Sequence, residues 1–344
     1  MKKLLAVLLA LMLVFGIAGC ANTAEPQVDT EAEVQVVEES AYPVTVTDQA
    51  GRGVTIEEQP ERVVSGYYIS TSALIALGQK DSLVGIEAKA DKRPIYSLSA
   101  PELIELPNVG TAKEFDMEGC LALEPDVVFL PMKLKEAAAS LEELDVDVIL
   151  VNPENQSLFT EMVQIMGAAL NCSEETAALT AFAEDVYAVL RESLVDIEAP
   201  TVYLAGNSSF LSTAPNGMYQ SDLIMVAGGT NAAEEIQDTY WVEVSYEQVL
   251  DWNPDYIILA SDASYTVDDV LADPALAECE AVVNGNVYQM PNKAEAWDSP
   301  VPSGVLGALW LANILHPDLV TQAERDARTD AYYETFYDFT YSEN

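Results

Sequence analysis

Fifteen lysines and arginines face 57 aspartates and glutamates in this 344-residue chain, so where the few bases fall is the first chemical question. Seven of them, Lys89, Lys92, Arg93, Lys113, Lys133, Lys135 and Lys293, lie in segments that follow short β-branched runs. The same kind of segment carries Tyr67, Tyr68, Asn207, Ser208, Tyr219, Tyr240, Trp241, Ser261 and Trp297. Bases that pair with a negative ligand, and rings that cover its apolar faces, together make a capture site. On so acidic a chain a basic cleft would be a local exception, and low-dielectric walls would focus its field. Loops are polar in general and tyrosines near strand ends often pack as half-buried core. Residue type alone therefore does not separate a binding wall from an ordinary loop.

Other chemistries are poorly provided for. The single histidine, His316, cannot build a histidine-rich zinc or manganese site by itself. It closes an apolar run just before Pro317, a helix-end position. There is no phosphate loop, no G-x-S-x-G elbow and no G-x-G-x-x-G fingerprint, which fits a binder rather than an enzyme and implies no resident cofactor. A net charge of −42 repels nucleic acid and anionic lipid. Such a surface also resists association, so a monomer is expected.

The first residues read as an export signal. Lys2 and Lys3 precede an uncharged apolar stretch over residues 4–19, short of the roughly 20 residues a membrane span needs. Ile17-Ala18-Gly19-Cys20 resembles a bacterial lipobox. That resemblance implies removal of residues 1–19 and diacylation of Cys20, which becomes the lipid anchor at the outer face of the cytoplasmic membrane. Residues 20–41 hold six acids and no base, a composition that cannot bury enough to order itself and is expected to act as a flexible tether. Cys120, Cys172 and Cys279 remain, an odd number without close spacing, and read as buried small hydrophobes.

From residue 61 onward, strand-like runs alternate with helical patterns. Residues 62–65, 83–86, 126–130 and 146–151 form one series, and residues 202–204, 255–259 and 286–290 a second. This alternation predicts parallel sheet with helices on its faces. The spacing E-x-x-L-x-x-x-P-D occurs twice, from Glu118 to Asp126 and from Glu247 to Asp255, each time followed by an apolar run. Each copy reads as a short amphipathic helix ended at its proline and then a buried strand. Between the series, residues 173–196 have Ser173 as a capping residue, Glu174 and Glu175 in the first turn, and Leu179, Phe182, Val186 and Val189 on one face. The expected fold is α/β: two Rossmann-like lobes, residues 42–172 and 197–344, joined by one long rigid helix, with a ligand cleft between them. In open parallel sheets ligands bind outside the carboxyl ends of the strands, where the bases and aromatics fall.

Several segments together make the chain similar to a known family. They are VTVTDQAGRGVTIEEQPERVVS, LALEPDVVFL, VSYEQVLDWNPDYIIL and WDSPVPSGVLGALWLANILHP, with the long linking helix between them. They resemble the ABC-transporter solute-binding proteins that carry iron–siderophore complexes, haem or cobalamin, over about residues 43–320. The resemblance implies capture of a metal chelate, a ferric siderophore first, and delivery to a permease dimer driven by cytoplasmic ATPases. Haem, a corrinoid or an oxoanion such as molybdate or tungstate is the alternative cargo, and a signalling or structural lipoprotein is the alternative class. The ligand would meet Tyr67, Tyr68, Arg93, Lys113, Lys133, Asn207, Tyr219, Trp241, Lys293 and Trp297. Trp241 resembles a cleft aromatic of cobalamin-binding relatives. Glu118 and Glu247 match glutamates that, in relatives, pair with permease arginines, one per lobe.

Overall fold

In a computed structural model, residues 41–237 and 240–343 are described. The expected signal, the expected lipid-bearing Cys20 and nearly all of the expected tether lie outside them. The described chain opens with an antiparallel hairpin, β1 (Val44–Thr47) and β2 (Gly53–Ile56). Its turn is fastened to the next layer by Asp48, whose carboxylate accepts from Leu150 N–H at 3.0 Å and pairs with Arg52 at 2.6 Å. Although burial acts to raise it, bonds from Arg52 and Leu150 hold the Asp48 carboxyl below its usual range.

Two sheets follow. The first orders β4-β3-β5-β6, all parallel, from β3 (Val63–Ser65), β4 (Leu83–Gly85), β5 (Val127–Pro131) and β6 (Asp147–Val151). Its strands are buried on both faces, as near-continuous Val/Leu/Ile runs require. Its helices are α1 (Tyr68–Ala76), α2 (Pro94–Ser99), α3 (Met117–Ala122), α4 (Lys135–Glu142) and α5 (Gln156–Ala169). The second sheet is built on β7 (Thr201–Ala205), β11 (Tyr256–Leu259) and β12 (Val287–Gln289), parallel in the order β7-β11-β12. Short strands β8 (Ser212–Thr213), β9 (Thr230–Asn231) and β10 (Val242–Glu243) complete it beside β7. Helices α7 (Tyr219–Val226), α8 (Tyr246–Trp252), α9 (Val267–Leu271), α10 (Glu280–Asn284) and α11 (Gly304–Leu315) belong to this half.

Helix α6 (Ser173–Ser193) joins the two halves as one uninterrupted element of 21 residues, about 32 Å long. It ends three residues earlier than the pattern predicts. Its N-cap position is Cys172 rather than Ser173, because the chain turns at Asn171 with φ of 52° and Ser173 is already helical. Thr176, Leu179, Val186, Tyr187 and Leu190 form its buried face.

The repeated P-D motif has a matching structural use in each lobe. Asp126, at the entry to β5, accepts from the backbone N–H groups of Glu61 and Arg62 at 2.8 Å, just before β3. Asp255, at the entry to β11, accepts from Thr201 N–H and its hydroxyl, both at 2.7 Å, at the start of β7. In both lobes the aspartate therefore ties together the entries of two neighbouring parallel strands. The residue before each proline, Glu124 or Asn253, is left-handed (φ 47° and 42°), which ends the preceding helix.

The final helix, α12 (Gln322–Tyr337), packs against both halves, on α11 of the second and α1 of the first. Tyr332, Tyr333, Phe336 and Tyr337 give it aromatic groups on more than one side. Phe182 of α6 meets Tyr332 and Phe336 edge-on at 5.2 and 5.9 Å. The Tyr337 hydroxyl reaches Ser72 of α1 at 3.4 Å. Cys120, Cys172 and Cys279 are free and buried, as expected. No helix among the described residues is long and apolar enough to cross a membrane.

Candidate functional site

The carboxyl ends of the two sheets face one another, and two voids lie along their junction. The smaller, about 50 Å³, is lined from the first half by Tyr68, Ser72, Lys92, Arg93 and Tyr96 and from the second by Asp262 and the 294–296 segment. The larger, about 1,080 Å³, runs between α5, α6, α7 and the start of α11.

At the small cavity, β3 ends and the chain turns at Tyr67, the N-cap of α1. Tyr67 and Tyr68 meet edge to face at 5.3 Å. Burial pushes both phenols up, Tyr67 strongly, so both remain protonated donors. Arg93 immediately precedes Pro94, the first residue of α2, and its guanidinium lies 4.0 Å above the Tyr68 ring. Among the described residues no carboxylate comes within ion-pairing distance of Arg93, whereas Lys92 pairs with Asp91 at 2.8 Å. Beneath this wall, the Glu87 carboxyl is hydrogen-bonded with Thr71 Oγ1 at 2.6 Å and accepts from the Tyr96 hydroxyl at 2.7 Å.

The opposite wall is the chain after β12. Ile95 N–H donates to Ala294 O at 3.0 Å across the junction. Glu295 is buried against Ser72 and Tyr337. Asp298 accepts from Ser261 N–H at 3.0 Å. Burial raises Glu87, Glu295 and Asp298 above the usual carboxyl range, outweighing the hydrogen bonds that favour their ionised forms. The site is therefore less negative than its formal charges suggest. Among the described residues no group of three His, Cys, Asp or Glu is placed to hold a metal ion.

The structure brings Tyr67, Tyr68 and Arg93 together and distributes the other sequence-derived candidates. Trp241 is half-buried over the end of β7, its ring edge 3.0 Å from where a Cβ on Gly206 would stand, so a larger residue there would crowd the ring. Asn207, next along, is exposed. Lys133 is exposed just past β5, and Lys113 is exposed in a turn closed by Thr111 and Glu114. Tyr219 is buried at the start of α7 beneath Gly304, beside the large void and away from the small one.

Two candidates are corrected. Trp297 is 3% exposed, donates to the Tyr333 hydroxyl at 3.0 Å and stacks on Tyr341 at 5.4 Å, so it is core. Lys293 donates to Tyr341 O at 2.7 Å and lies 4.7 Å over its ring, so its ammonium is turned to the C-terminal segment. The stretch from 293 to 298 sends Ala294, Glu295 and Ala296 to the small cavity and Lys293 and Trp297 to the other side. Sequence reasoning missed Ser72, Glu87, Tyr96, Asp262, Glu295 and Asp298. Its selection at strand ends took bases and aromatics and passed over carboxylates, which are common in this chain.

Two α/β halves, a single linking helix and a cleft at the strand ends are what a binding protein needs, and the comparisons agree. The profile described as Periplasmic binding protein matches residues 63–294. The chain belongs to that family. The molybdate-binding protein MolA of Haemophilus influenzae is 26% identical to this binding protein, over 86% of this chain and 91% of MolA. The uncharacterized ABC transporter substrate-binding lipoprotein YvrC of Bacillus subtilis is 25% identical, over 92% of this chain and 99% of YvrC. The crystal structure of a periplasmic solute-binding protein from Veillonella parvula superposes with a TM-score of 0.75 at 25% identity, covering 86% of this chain and 93% of that one. This binding protein and those relatives thus share architecture over nearly the whole described body.

Proposed function

We propose that this protein is the lipid-anchored, extracytoplasmic capture subunit of an ABC importer and that its cargo is a small oxoanion of the molybdate or tungstate type. The observation that carries the cargo is Arg93, an unpaired guanidinium over Tyr68 in a cavity of about 50 Å³ at the lobe junction. That volume suits a few waters or one small anion, since a single water occupies roughly 10–15 Å³ on this measure. Organic ligands of drug size occupy pockets of roughly 300–1,000 Å³. Neutral phenols supply donors, and burial moderates the repulsion from Glu87, Glu295 and Asp298. MolA, by its name a molybdate binder, supports the same choice.

A ferric chelate, first in the sequence reading, is favoured by a different observation. The large void of about 1,080 Å³ reaches the junction through Val301, which lines both cavities. The deciding experiment is calorimetric titration of the purified protein with molybdate, tungstate, sulfate, phosphate and a ferric catecholate. Saturable binding of molybdate or tungstate, with sulfate and phosphate weak, is the expected result. Binding of the ferric catecholate alone would overturn the oxoanion reading.

A further inference from the structure

Glu87 is 6% exposed, directly beyond β4, and sits at the centre of a chain of hydroxyls. Its Oε1 meets the Tyr96 hydroxyl at 2.7 Å and its Oε2 meets Thr71 Oγ1 at 2.6 Å. Thr71 Oγ1 also lies 2.8 Å from Ser65 Oγ, which lies 3.0 Å from the carbonyl of Tyr67. The Tyr96 hydroxyl lies 3.4 Å from the carbonyl of Tyr68. Both ends of the network therefore terminate on the backbone of the two cleft tyrosines.

Hydrogens can be counted along it. Between Glu87 Oε2 and the Tyr67 carbonyl there are three contacts of 3.0 Å or less, Glu87–Thr71, Thr71–Ser65 and Ser65–Tyr67, and a longer one from Thr71 to Tyr67 at 3.3 Å, but only two hydroxyl hydrogens. An ionised Glu87 leaves one of the three short contacts without a hydrogen. A carboxylic acid supplies the third: Glu87 donates to Thr71, Thr71 to Ser65, Ser65 to Tyr67, and Tyr96 donates to Glu87 Oε1.

We propose that Glu87 works as a neutral carboxylic acid that positions Tyr67, Tyr68 and Arg93 for an anion, so that its ionisation weakens capture. The role rests on the oxoanion reading above; the protonation state does not. The elements packed against Glu87 bring neutral hydroxyls from β3 and α1, the phenol of Tyr96 from α2, and the guanidinium of Arg93. The loop that pairs with residues 86–88 brings Asn108, Val109 and Gly110, none of them ionisable. Burial favours the neutral acid and outweighs the pull of Arg93 and the hydrogen bonds toward ionisation. An anion beside Arg93 shifts the balance further toward the acid, so anion and proton bind with positive coupling. Glu87 is a positioning residue.

Two measurements test this. Infrared spectra of the ligand-free protein at neutral pH should show a protonated-carboxyl band that disappears in Glu87→Gln and shifts in Thr71→Val. Absence of that difference overturns the neutral acid, whatever the cargo. Molybdate affinity should fall on the order of tenfold as pH rises through the raised range in which Glu87 ionises, and the fall should be much smaller in Glu87→Gln. Parallel losses in wild type and variant overturn the coupling to capture. Absence of molybdate binding at every pH overturns the oxoanion reading and with it the positioning role, while the infrared result still decides the acid.

Discussion

The hydroxyl of Ser72, on the first helix of the N-terminal half, donates to the carboxyl of Glu295, 223 residues further along the chain. The Tyr337 hydroxyl of the last helix approaches the same carboxyl at 3.4 Å. One buried acid thus joins the first half, the cleft loop and the C-terminal helix.

This junction makes stability depend on pH. Burial raises Glu295, Glu87 and Asp298 in the folded state, so the folded protein holds protons that the unfolded chain releases. Their contribution is complete below the unfolded carboxyl values of about 3.9 for aspartate and about 4.3 for glutamate, and is lost as pH rises through the raised folded values. Asp48, lowered in the fold, acts oppositely and costs stability only in stronger acid. The melting temperature should therefore peak in mild acid and decline as pH rises through the raised folded values. Glu295→Gln should flatten the decline, and an equally steep profile would remove Glu295 from the account.

Arg93→Ala should weaken oxoanion binding by about 10- to 100-fold, the value of a charge-assisted hydrogen bond of roughly 1.5–3 kcal/mol, with the fold intact. Lys113→Gln together with Lys133→Gln should instead slow association and reduce its salt dependence, because both ammonium groups are exposed. Stopped-flow association and dissociation rates separate these outcomes.

Trp297→Ala should behave as a core deletion. Loss of a large buried ring that also donates to Tyr333 should cost about 3–5 kcal/mol in denaturant unfolding. A variant of normal stability with weakened ligand binding would return Trp297 to the cleft.

Glu118 and Glu247 are exposed in the first turns of α3 and α8, whose N-caps Asp116 and Ser245 accept from Gly119 and Gln248 N–H. The helix ends are thus satisfied without them, which leaves both carboxylates available to a partner. Glu118→Arg with Glu247→Arg should abolish uptake in cells while purified protein keeps its ligand affinity. Wild-type uptake by the double variant would exclude them as the docking pair.

The sequence by itself determined the two sheets, the linking helix and the paired P-D motif. Those features rest on local periodicity and on residues such as Pro125 and Pro254, whose conformational limits act within a few positions. It also marked Tyr67, Tyr68 and Arg93 as residues beyond strand ends, which the structure brings close together, because strand ends are legible wherever apolar runs stop. Only the tertiary structure decided which face of residues 293–298 meets the cleft, since Tyr341 and Tyr333, from the far end of the chain, claim Lys293 and Trp297. It likewise decided that Glu87, Glu295 and Asp298 differ from the many acids around them. The shift of a carboxyl depends on the water removed from it and on the donors that replace that water. Both are set by segments as distant in sequence as Ser72 and Glu295.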